Sequence, residues 1–446
     1  MVTDKTDTLF KDVPGEFLVA RDIYRDPDIF DWEMQYIFES TWNLVGLESQ
    51  IPAPNDYFTA HIGRVPVIVT RDAQGSLSCL INSCTHKGAT IAHKSQGNAR
   101  TFVCQYHGWA FSPSGKNILI RDESVGQYNA QFHKLDHDLR RVPRFESYRG
   151  FLFASLNENV PSLVEHLGDQ ARMLDLIVDQ SPDGVECIPG NGNFTYKGNW
   201  KFQLENGVDP YHFQGSHPSY IQILQKRSDK GSVYSKFKSS ELERGSFSFA
   251  NGHSAIWGPA PTESTHPLYL AKDDLVKRVG ATRAKWMMYV RNITVFPNAQ
   301  FAENASLQMR IWRPLAPDLT EMRTFCIAPV GESAAARKIR IRQYEEFFNP
   351  TGLATPDDIV NYEDCQRGMA AHPIRWQQGA ARGETVKNVH PDHPSTREAG
   401  VNPLSTVVGP FNLGDETIMH NTYRHWRHLI MQGLARGERA GETKDA

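Results

Sequence analysis

The sequence predicts an α+β protein in which a small all-β domain is inserted into a larger domain of helices and strands. The chain has 446 residues, which is too long for one ordinary core and suggests two or three domains. Short β-rich runs joined by turns occupy residues 44–153, as expected of a small all-β domain. Helical and strand patterns mix after residue 157, which indicates a second, α+β domain.

Residues 1–43 are predicted to form a helical segment that packs on the larger domain. Asp26 is expected to cap a helix, with Pro27 at the first helical position. A mostly helical apolar stripe that includes Ile29 and Phe38 follows them. The chain should therefore open with an amphipathic helix.

Residues 44–156 are predicted to form the all-β domain. Val65–Thr70 and Leu77–Ile81 are rich in apolar and β-branched residues, and Asp72–Gly75 between them is typical of a turn. Residues 157–446 should form the larger domain. Helices are expected from Val160 to Gln180 and from Ser333, as the N-cap, to about Asn349.

Two further segments of the larger domain have a predicted structure. Asn193–Phe202 has the pattern of a strand. Lys387–Asn402 is rich in Pro, His, Asp and Ser, which predicts a loop.

The composition is that of a globular protein without a nucleic-acid surface. Hydrophobic residues make up 40%, charged residues 22% and aromatic residues 11% of the chain, close to the globular average. The net charge is -3 and there is no long Lys/Arg cluster, so no basic field is available for phosphates. Met1–Asp7 lacks a signal-peptide pattern, and no apolar run approaches the roughly 18 residues that span a membrane. We therefore expect a cytoplasmic protein.

The six cysteines are too few and too scattered for a disulfide framework. Only Cys84 and Cys104 have a setting typical of metal ligands. The other four are expected to be dispensable, small, buried hydrophobic residues: Cys79, Cys187, Cys326 and Cys365.

Two short stretches of the predicted β domain each carry one cysteine and one histidine. Cys84 and His86 form a C-x-H pattern, and Cys104 and His107 form a C-x2-H pattern after 17 intervening residues. A two-iron, two-sulfur cluster with two thiolates on one iron and two imidazoles on the other needs one of each from both loops. A structural zinc site is the alternative, although zinc loops more often bring two cysteines as C-x2-C or two histidines together.

Asn82–Gly88 and Cys104–Trp109 resemble the two cluster-binding loops of Rieske proteins. Lys87 and Gln105 stand where that family usually has Arg and Pro, and we expect these departures to tune the cluster rather than abolish it. The resemblance implies that the domain accepts electrons through a [2Fe-2S] cluster. The ligands that it implies are Cys84, His86, Cys104 and His107.

Two histidines further along the chain, His212 and His217, are five residues apart. Five residues of a regular helix turn two side chains about 140° apart. Both can face one metal only if the helix loosens between them, and Gly215 and Pro218 are expected to allow this. Two histidines and one carboxylate on one face of Fe(II) leave open positions for dioxygen, as in non-haem oxygenases.

The segment Glu205–His217 resembles the catalytic iron motif of ring-hydroxylating oxygenase α subunits. The resemblance implies that His212 and His217 are iron ligands and places Asn206 among the catalytic residues. It also implies that Asp209 is a carboxylate that links an iron histidine to a cluster histidine of a neighbouring chain.

Asp209 precedes His212 by three residues, which would place the two side chains on one helical face. The carboxylate could then orient the other ring nitrogen of His212. The alternative is that Asp209 only caps a turn before Pro210.

The third iron ligand has to come from far along the chain. Gly352–Asp358 resembles the family segment that carries this carboxylate, with Asp358 at the matching position and Asp357 as the second choice. The same residues also fit an ordinary helix start, with Thr355 as the N-cap, Pro356 at the first position and two acids next.

The resemblance covers nearly the whole chain and is strongest to the benzoate and anthranilate dioxygenase group. It implies an antiparallel sheet covered by helices in the larger domain. It also implies a substrate with a ring carboxylate, such as benzoate, a halobenzoate, anthranilate or salicylate, and most readily its cis-dihydroxylation. Asp209–Tyr211 and Phe213–Ser216 differ from the residues that we associate with this group, so the pocket is expected to differ in shape. The segments that carry the resemblance include Glu48–Pro52, Arg144–Phe153 and Arg340–Asn349.

The family also implies partners. The chain has no Gly-rich dinucleotide fingerprint, so NADH electrons would arrive through a separate reductase, with or without a ferredoxin. A homotrimer, or an α3β3 hexamer with a small β subunit, is expected. Three other functions stay open: a salicylate hydroxylase of the same family that acts by monooxygenation, a Rieske electron-transfer protein without oxygenase activity, and a zinc-stabilised binding protein.

Overall fold

A computed structural model describes residues 8–227, 243–259, 266–304, 306–410 and 412–442. The opening segment Met1–Asp7, on which the expectation of no signal peptide depends, lies outside these residues. The chain divides into two compact units, one of residues 38–163 and one of the residues up to 37 together with those from 164 onwards. Within the described ranges, no helix combines the length and the apolar character that a membrane span requires.

The strands of the described residues, in chain order, are β1 (Phe10–Val13), β2 (Glu16–Ala20), β3 (Asn43–Leu47), β4 (Asp56–Ile62), β5 (Val65–Arg71), β6 (Leu77–Ile81), β7 (Gln96–Asn98), β8 (Phe102–Val103), β9 (Ala110–Phe111), β10 (Asn117–Leu119), β11 (Arg144–Tyr148), β12 (Phe151–Ser155), β13 (Val185–Tyr196), β14 (Glu243–Ser248), β15 (Ser254–Gly258), β16 (Val290–Val295), β17 (Ala299–Glu303), β18 (Leu307–Ala316), β19 (Leu319–Pro329), β20 (Trp376–Gln377), β21 (Lys387–Val389) and β22 (Ser405–Pro410). The α-helices of the same residues are α1 (Pro27–Trp32), α2 (Leu163–Leu167), α3 (Gln170–Val178), α4 (Trp200–Asn206), α5 (Phe213–Ser216), α6 (Pro218–Arg227), α7 (Lys272–Val279), α8 (Ala281–Met288), α9 (Ala334–Gln343), α10 (Thr355–Met369), α11 (Pro394–Ala399) and α12 (Met419–Glu442).

The unit of residues 38–163 is built from antiparallel strands, which confirms the all-β prediction. Its sheets have the orders β6-β5-β4-β7, β10-β9-β8 and β11-β12-β3. Val67, Ile68 and Val69 of β5 are all fully buried, as suits β-branched residues in the middle of a sheet. The predicted turn between β5 and β6 is closed by a 3.0 Å hydrogen bond from the Gly75 N–H to the Asp72 carbonyl.

The other unit contains a nine-stranded antiparallel sheet of order β13-β19-β18-β17-β16-β15-β14-β22-β21, and a small sheet β1-β2-β20. Helix α4 packs against β18, and α10 packs against α4, α5 and β13. The prediction of an antiparallel sheet covered by helices is therefore confirmed. The two predicted metal-binding segments of this unit meet where α10 contacts α4 and α5.

The expectation that the chain opens with a helix was wrong for the described residues, because the strands β1 and β2 precede α1. Two helix starts predicted from the sequence are nevertheless present. The Asp26 carboxylate accepts the backbone N–H of Asp28 at 2.9 Å and caps α1, with Pro27 at the first position. The Ser333 hydroxyl oxygen accepts the N–H of Ala336 at 3.2 Å and caps α9. Both caps satisfy a backbone donor that has no partner inside the helix. Each helix continues into a π-helical turn, at Glu33–Phe38 and Tyr344–Phe348.

The strand predicted at Asn193–Phe202 was wrong in its second half. β13 ends at Tyr196, and the Asn199 side chain accepts the Lys201 N–H at 3.1 Å to cap α4. The capping capacity of Asn outweighs the apolar pattern that follows it. The predicted single helix at 160–180 is two helices, α2 and α3, because Gly168 between them has a φ of 50°.

The loop predicted at Lys387–Asn402 was also wrong. It contains β21 and α11, and the His393 ring nitrogen accepts the Ser395 N–H at 3.2 Å to cap α11. Pro394 occupies the first helical position, where the missing N–H of proline costs nothing. The expectation of buried cysteines holds for Cys79 and Cys326, but Cys365 on α10 is exposed.

Candidate metal centres and active site

The two Cys/His loops of the all-β unit have the same backbone geometry. In each loop a glycine N–H donates to the cysteine carbonyl four residues earlier, Gly88 to Cys84 at 2.8 Å and Gly108 to Cys104 at 2.9 Å. The two glycines have φ values of 79° and 74°, which glycine adopts without a steric penalty. Each loop is therefore a tight turn that begins at its cysteine.

The four candidate cluster ligands lie together. The ring centroids of His86 and His107 are 4.5 Å apart, and Cys84 and Cys104 are both buried. Burial raises the pKa of the Cys84 thiol, and the neighbouring Cys104 side chain raises it further. Among the described residues, the buried Nδ1 atom of His86 has no hydrogen-bond partner. A buried ring nitrogen without a partner is costly unless it binds a metal. The set of two thiols and two imidazoles is the ligand set of a Rieske-type [2Fe-2S] cluster.

Trp109 holds one of these histidines in place and was not predicted as a functional residue. Its ring stacks on His86 with centroids 4.7 Å apart and planes 5° apart. His137 contacts the same indole edge-on at 5.4 Å, and its carbonyl accepts the Thr85 hydroxyl at 2.9 Å. The sequence signal was the tryptophan directly after the glycine of the second loop.

Three candidate iron ligands converge in the other unit. Asp358 Oδ1 lies 3.1 Å from His217 Nε2 and 3.6 Å from His212 Nε2. One donor atom from each residue lies within 4.8 Å of the other two, and no other group of this kind occurs in the described part of the chain. Two donor atoms that each lie about 2.1 Å from one ion are about 3 Å apart when the two metal–ligand bonds form a right angle. The spacing therefore fits a single metal ion.

The two histidines face one point because the helix breaks between α5 and α6. His217 has φ -116° and ψ 42° and precedes Pro218, the first residue of α6. Proline disfavours the helical conformation of the residue before it, so Pro218 provides the predicted break. The same role predicted for Gly215 was wrong, because Gly215 lies inside α5 without a positive φ.

Asp358 does not behave as an ordinary helix-start acid. The predicted cap was wrong, because α10 begins at Thr355 after Ala354, and the Thr355 hydroxyl instead donates to the Phe348 carbonyl at 2.8 Å. Pro356 is accordingly one position later than predicted. Asp358 is 6% exposed and lies against the imidazoles.

Asn206 completes this arrangement. It is the last residue of α4, and its Nδ2 donates to Asp358 Oδ1 at 3.3 Å. Asn206 therefore lines the pocket and also positions the carboxylate of Asp358.

Opposite charges outweigh burial in the pKa values of Asp358 and His212. Burial alone would raise the pKa of Asp358, but the contact with His217 and the charge of His212 outweigh it and lower that pKa. Burial alone would lower the pKa of His212, but Asp209 and Asp358 outweigh it and raise that pKa. Asp358 and the two histidines therefore stabilise each other's charged forms.

A second carboxylate stands behind each histidine. Asp209 Oδ2 lies 3.5 Å from His212 Nδ1, and Asp357 Oδ2 lies 3.2 Å from His217 Nδ1. Such outer carboxylates orient the ring of a metal-binding histidine and raise its basicity. Asp357, the second choice as a ligand, thus contacts the ring nitrogen on the far side of His217.

Asp209 reaches His212 by a route that the sequence argument did not foresee. It lies in the turn between α4 and α5, so the argument from a shared helical face was wrong. Its Oδ1 accepts the Tyr211 N–H at 2.6 Å, which closes the turn as the alternative interpretation expected. The other oxygen remains directed at His212.

A pocket opens onto the three donors. It lies over five adjacent strands, β14 to β18, each of which contributes at least one side chain. Burial lowers the pKa of Arg244 to about 10, against the opposing charge of Asp209. The sequence did not reveal these residues, because they come from separate strands. Arg244 and Arg310 are part of the pocket wall. The main apolar residues of the wall are Phe213, Tyr220, Ile256, Val290, Ala302 and Phe347.

Comparison with known families defines the class of protein. Residues 41–129 match the description "Rieske [2Fe-2S] domain", and residues 175–430 match "Ring hydroxylating alpha subunit (catalytic domain)". The chain therefore belongs to the ring-hydroxylating dioxygenase α-subunit family, as its motifs suggested. It carries a [2Fe-2S] cluster and a mononuclear iron. An electron carrier without a catalytic domain and a zinc-stabilised binding protein are excluded by this membership.

Particular relatives narrow the comparison. The toluate 1,2-dioxygenase subunit alpha of Pseudomonas putida is 37% identical over 95% of this chain and 93% of its own length. The anthranilate 1,2-dioxygenase large subunit of Acinetobacter baylyi is 38% identical over 95% and 92%. The crystal structure of naphthalene 1,2-dioxygenase from Rhodococcus sp. bound to indole has the same fold, with a TM-score of 0.79 at 24% identity over 93% and 94%. Alpha subunits of this family work in oligomers with a beta subunit and a reductase.

Proposed function

We propose that the chain is the oxygenase component that hydroxylates an aromatic carboxylate of the benzoate, halobenzoate, anthranilate or salicylate type. It uses dioxygen and NADH-derived electrons, and the reaction is a cis-dihydroxylation. The observation that carries this proposal is an apolar pocket that opens onto three convergent metal donors and also contains arginine side chains. The names of the relatives, which act on toluate and anthranilate, support the same substrate class.

The metal assignments follow from the donor sets. Cys84, His86, Cys104 and His107 hold the cluster, and His212, His217 and Asp358 hold the iron. When bound, the iron supplies dioxygen activation and the cluster supplies electrons. The protein's own part is to orient the ring and the donors and to exclude side reactions. Phe213, Tyr220 and Phe347 form apolar walls that exclude water from the reacting ring.

Asp209 links two chains in the proposed assembly. One of its oxygens faces His212 and the other accepts the Tyr211 N–H, yet each carboxylate oxygen has a second lone pair. A cluster histidine of a neighbouring chain, His86 or His107, would donate to it and shorten the route of electrons. A closed ring of three chains brings such surfaces together. We therefore place the chain in a homotrimer, or in an α3β3 hexamer with a small β subunit, served by a reductase with or without a ferredoxin.

Product analysis with the purified protein and a reductase tests the function. Benzoate, anthranilate and salicylate are supplied with NADH and dioxygen, and cis-dihydrodiols or their breakdown products are expected. The wild type should contain a two-iron cluster and one further iron per chain. A dihydroxybenzoate formed from salicylate would favour monooxygenation, and no product from any aromatic acid would refute the proposal.

Variants separate the two metal sites. Cys104→Ser should remove the visible absorption of the cluster, whereas Cys365→Ser, at an exposed cysteine, should keep it. His212→Ala, His217→Ala and Asp358→Ala should each keep the cluster spectrum and lose the mononuclear iron and the product. A fully active Asp358→Ala variant would move the third ligand elsewhere.

The bridging role of Asp209 has its own test. Asp209→Asn should retain both metals and the reduction of the cluster by the reductase, yet stop turnover. Normal turnover with NADH, or loss of the iron, would withdraw that role.

A further inference from the structure

Arg310 is a buried cation in the candidate active site. It lies on β18, it is 7% exposed, and it lines the pocket that contains the three metal donors. His212, His217 and Asp358 line this same pocket, as does Phe348. An arginine side chain stays charged at any ordinary pH.

The partners of Arg310 within the described residues are neutral. Its Nε donates to the side-chain oxygen of Gln308, which is itself held by a 3.3 Å hydrogen bond to the Phe348 carbonyl. Its guanidinium lies 5.6 Å from the centroid of the Phe348 ring. Its side chain forms no ion pair with a described carboxylate, and the bond to Gln308 is the only hydrogen bond of that side chain among the described residues. The two terminal nitrogens therefore keep donors available for a ligand.

Two other buried arginines of this unit show the ordinary arrangement. Arg291 pairs with Glu303, and Arg340 lies 3.0 Å from Glu332. A buried charge without a counter-charge is costly, and both of these pairs avoid that cost. Arg310 has no such counter-charge among the described residues, and it lies in the pocket wall.

Arg244 also lines the pocket but occupies a different place. It lies on β14, four strands away from β18 in the sheet order, and neighbouring strands are about 4.8 Å apart, which separates the two backbones by roughly 19 Å. The charge of Asp209 acts on Arg244. Arg310 and Arg244 therefore enter the pocket from different strands of the sheet.

We propose that Arg310 binds the carboxylate of the aromatic acid and thereby makes the pocket selective for acids over neutral arenes. This inference rests on the proposed function and assigns its substrate specificity to one residue. The planar guanidinium matches a carboxylate with two parallel hydrogen bonds. A carboxylate held there leaves the ring among the apolar side chains, which include Ile256, Val290 and Phe347.

Arg310→Gln tests the proposal, with Arg313→Gln as the matched control. Arg313 is on the same strand, lies 3.0 Å from Glu321 and is not part of the pocket wall. Dissociation constants of benzoate and of the neutral benzamide are measured by calorimetry on the holoenzyme, together with KM for the aromatic acid that is turned over. Arg310→Gln should weaken benzoate binding by about 30-fold or more and change benzamide binding by less than about threefold. Arg313→Gln should change neither.

Arg310→Lys provides a second measurement that does not remove the charge. It should bind benzoate with an affinity between the wild type and Arg310→Gln, because lysine keeps the charge and loses the planar fork. Benzoate affinity unchanged in Arg310→Gln, or in Arg310→Lys should the first variant not fold, would overturn the proposal. Equal losses for benzoate and benzamide would also overturn it, since they would indicate a structural role. Failure of the proposed function is distinct, because the wild type itself would then hydroxylate no aromatic acid.

Discussion

The Oδ2 atom of Asp357 lies 3.2 Å from the Nδ1 atom of His217, while Asp358 faces the Nε2 atom of the same ring. Consecutive residues at the start of α10 thus contact opposite ring nitrogens of one histidine. His212 has the same arrangement, with Asp209 on one nitrogen and Asp358 on the other. His217 is therefore held in one orientation by contacts of 3.2 and 3.1 Å, whereas the contacts of His212 are longer, at 3.5 and 3.6 Å.

This arrangement predicts separate effects for the two acids of α10. Asp357→Asn should weaken iron binding by about 10- to 100-fold, as loss of an outer carboxylate does, and should leave the cluster spectrum intact. Asp358→Asn should abolish iron binding. Both are measured by titration of the iron-free protein with Fe(II) in competition with a chelator.

Asp364→Asn is the matched control for this comparison. Asp364 is on the same helix, is exposed and pairs with Arg367. Its substitution should leave iron affinity unchanged. An Asp357→Asn variant with wild-type affinity would show that the contact with His217 does not support the metal.

Two glycines near the iron site should respond in opposite ways to alanine. A Cβ atom on Gly207 would lie 1.5 Å from Gln300 Nε2, and Gln300 is held by hydrogen bonds to Gln203 and Thr294, both 3.0 Å long. Gly207→Ala should therefore destabilise the fold by about 1–3 kcal/mol and reduce the iron content. Denaturant unfolding and metal analysis measure the two effects.

Gly215→Ala should be tolerated. A Cβ atom there meets nothing within 4 Å, and alanine favours a helix over glycine by about 1 kcal/mol. Loss of iron from this variant would mean that Gly215 provides the flexibility that the sequence suggested.

His253 should make stability depend on pH. Its Nε2–H donates to the His166 carbonyl at 2.8 Å and its Nδ1 accepts the Phe296 N–H at 3.0 Å. Burial lowers its pKa to about 4 from 6.5, so between these values the unfolded chain binds a proton that the folded chain does not. The contribution of neutral His253 to the free energy of unfolding is complete above pH 6.5 and is lost as the pH falls towards 4. The loss amounts to roughly 3 kcal/mol.

Unfolding free energies measured from pH 7.5 to 4.5 test this prediction. His253→Gln should reduce the slope in this window, whereas His372→Gln, at an exposed histidine, should reproduce the wild-type slope. An unchanged slope in His253→Gln would assign the acid sensitivity to other buried histidines.

A buried ion pair joins three distant parts of the larger unit. Glu33 accepts hydrogen bonds from Lys201 Nζ at 2.6 Å, Trp200 Nε1 at 2.9 Å and Trp426 Nε1 at 2.8 Å. Glu33 and Lys201 are both 0% exposed. Glu33→Gln should therefore cost roughly 3–5 kcal/mol, because it leaves the lysine without a counter-charge.

The double variant Glu33→Gln with Lys201→Met should recover much of this loss in denaturant unfolding. Asp274→Asn, which breaks the exposed pair of Asp274 and Lys277 at 3.5 Å, should change stability by less than about 0.5 kcal/mol. Additive losses in the double variant would show that the two charges do not stabilise each other.

Local patterns carried the predictions that succeeded. The caps at Asp26 and Ser333 depend on hydrogen bonds within one helical turn. The β5–β6 hairpin and the two Cys/His loops depend on a few consecutive residues, with glycine at Gly88 and Gly108 where φ is positive. Chemistry that is confined to one short segment can be predicted from that segment alone.

Tertiary packing decided the rest. Whether Asp357 or Asp358 faces the imidazole Nε2 atoms depends on how α10 packs against α4 and α5, and both acids fit the same local pattern. Arg310 reaches the pocket because β18 packs against α4 and against the π-helical turn Tyr344–Phe348. The sequence interval between Arg310 and His212 is nearly a hundred residues, and no local periodicity relates them. Contacts of this kind follow from burying one sheet face against several helices at once, which is a property of the whole domain.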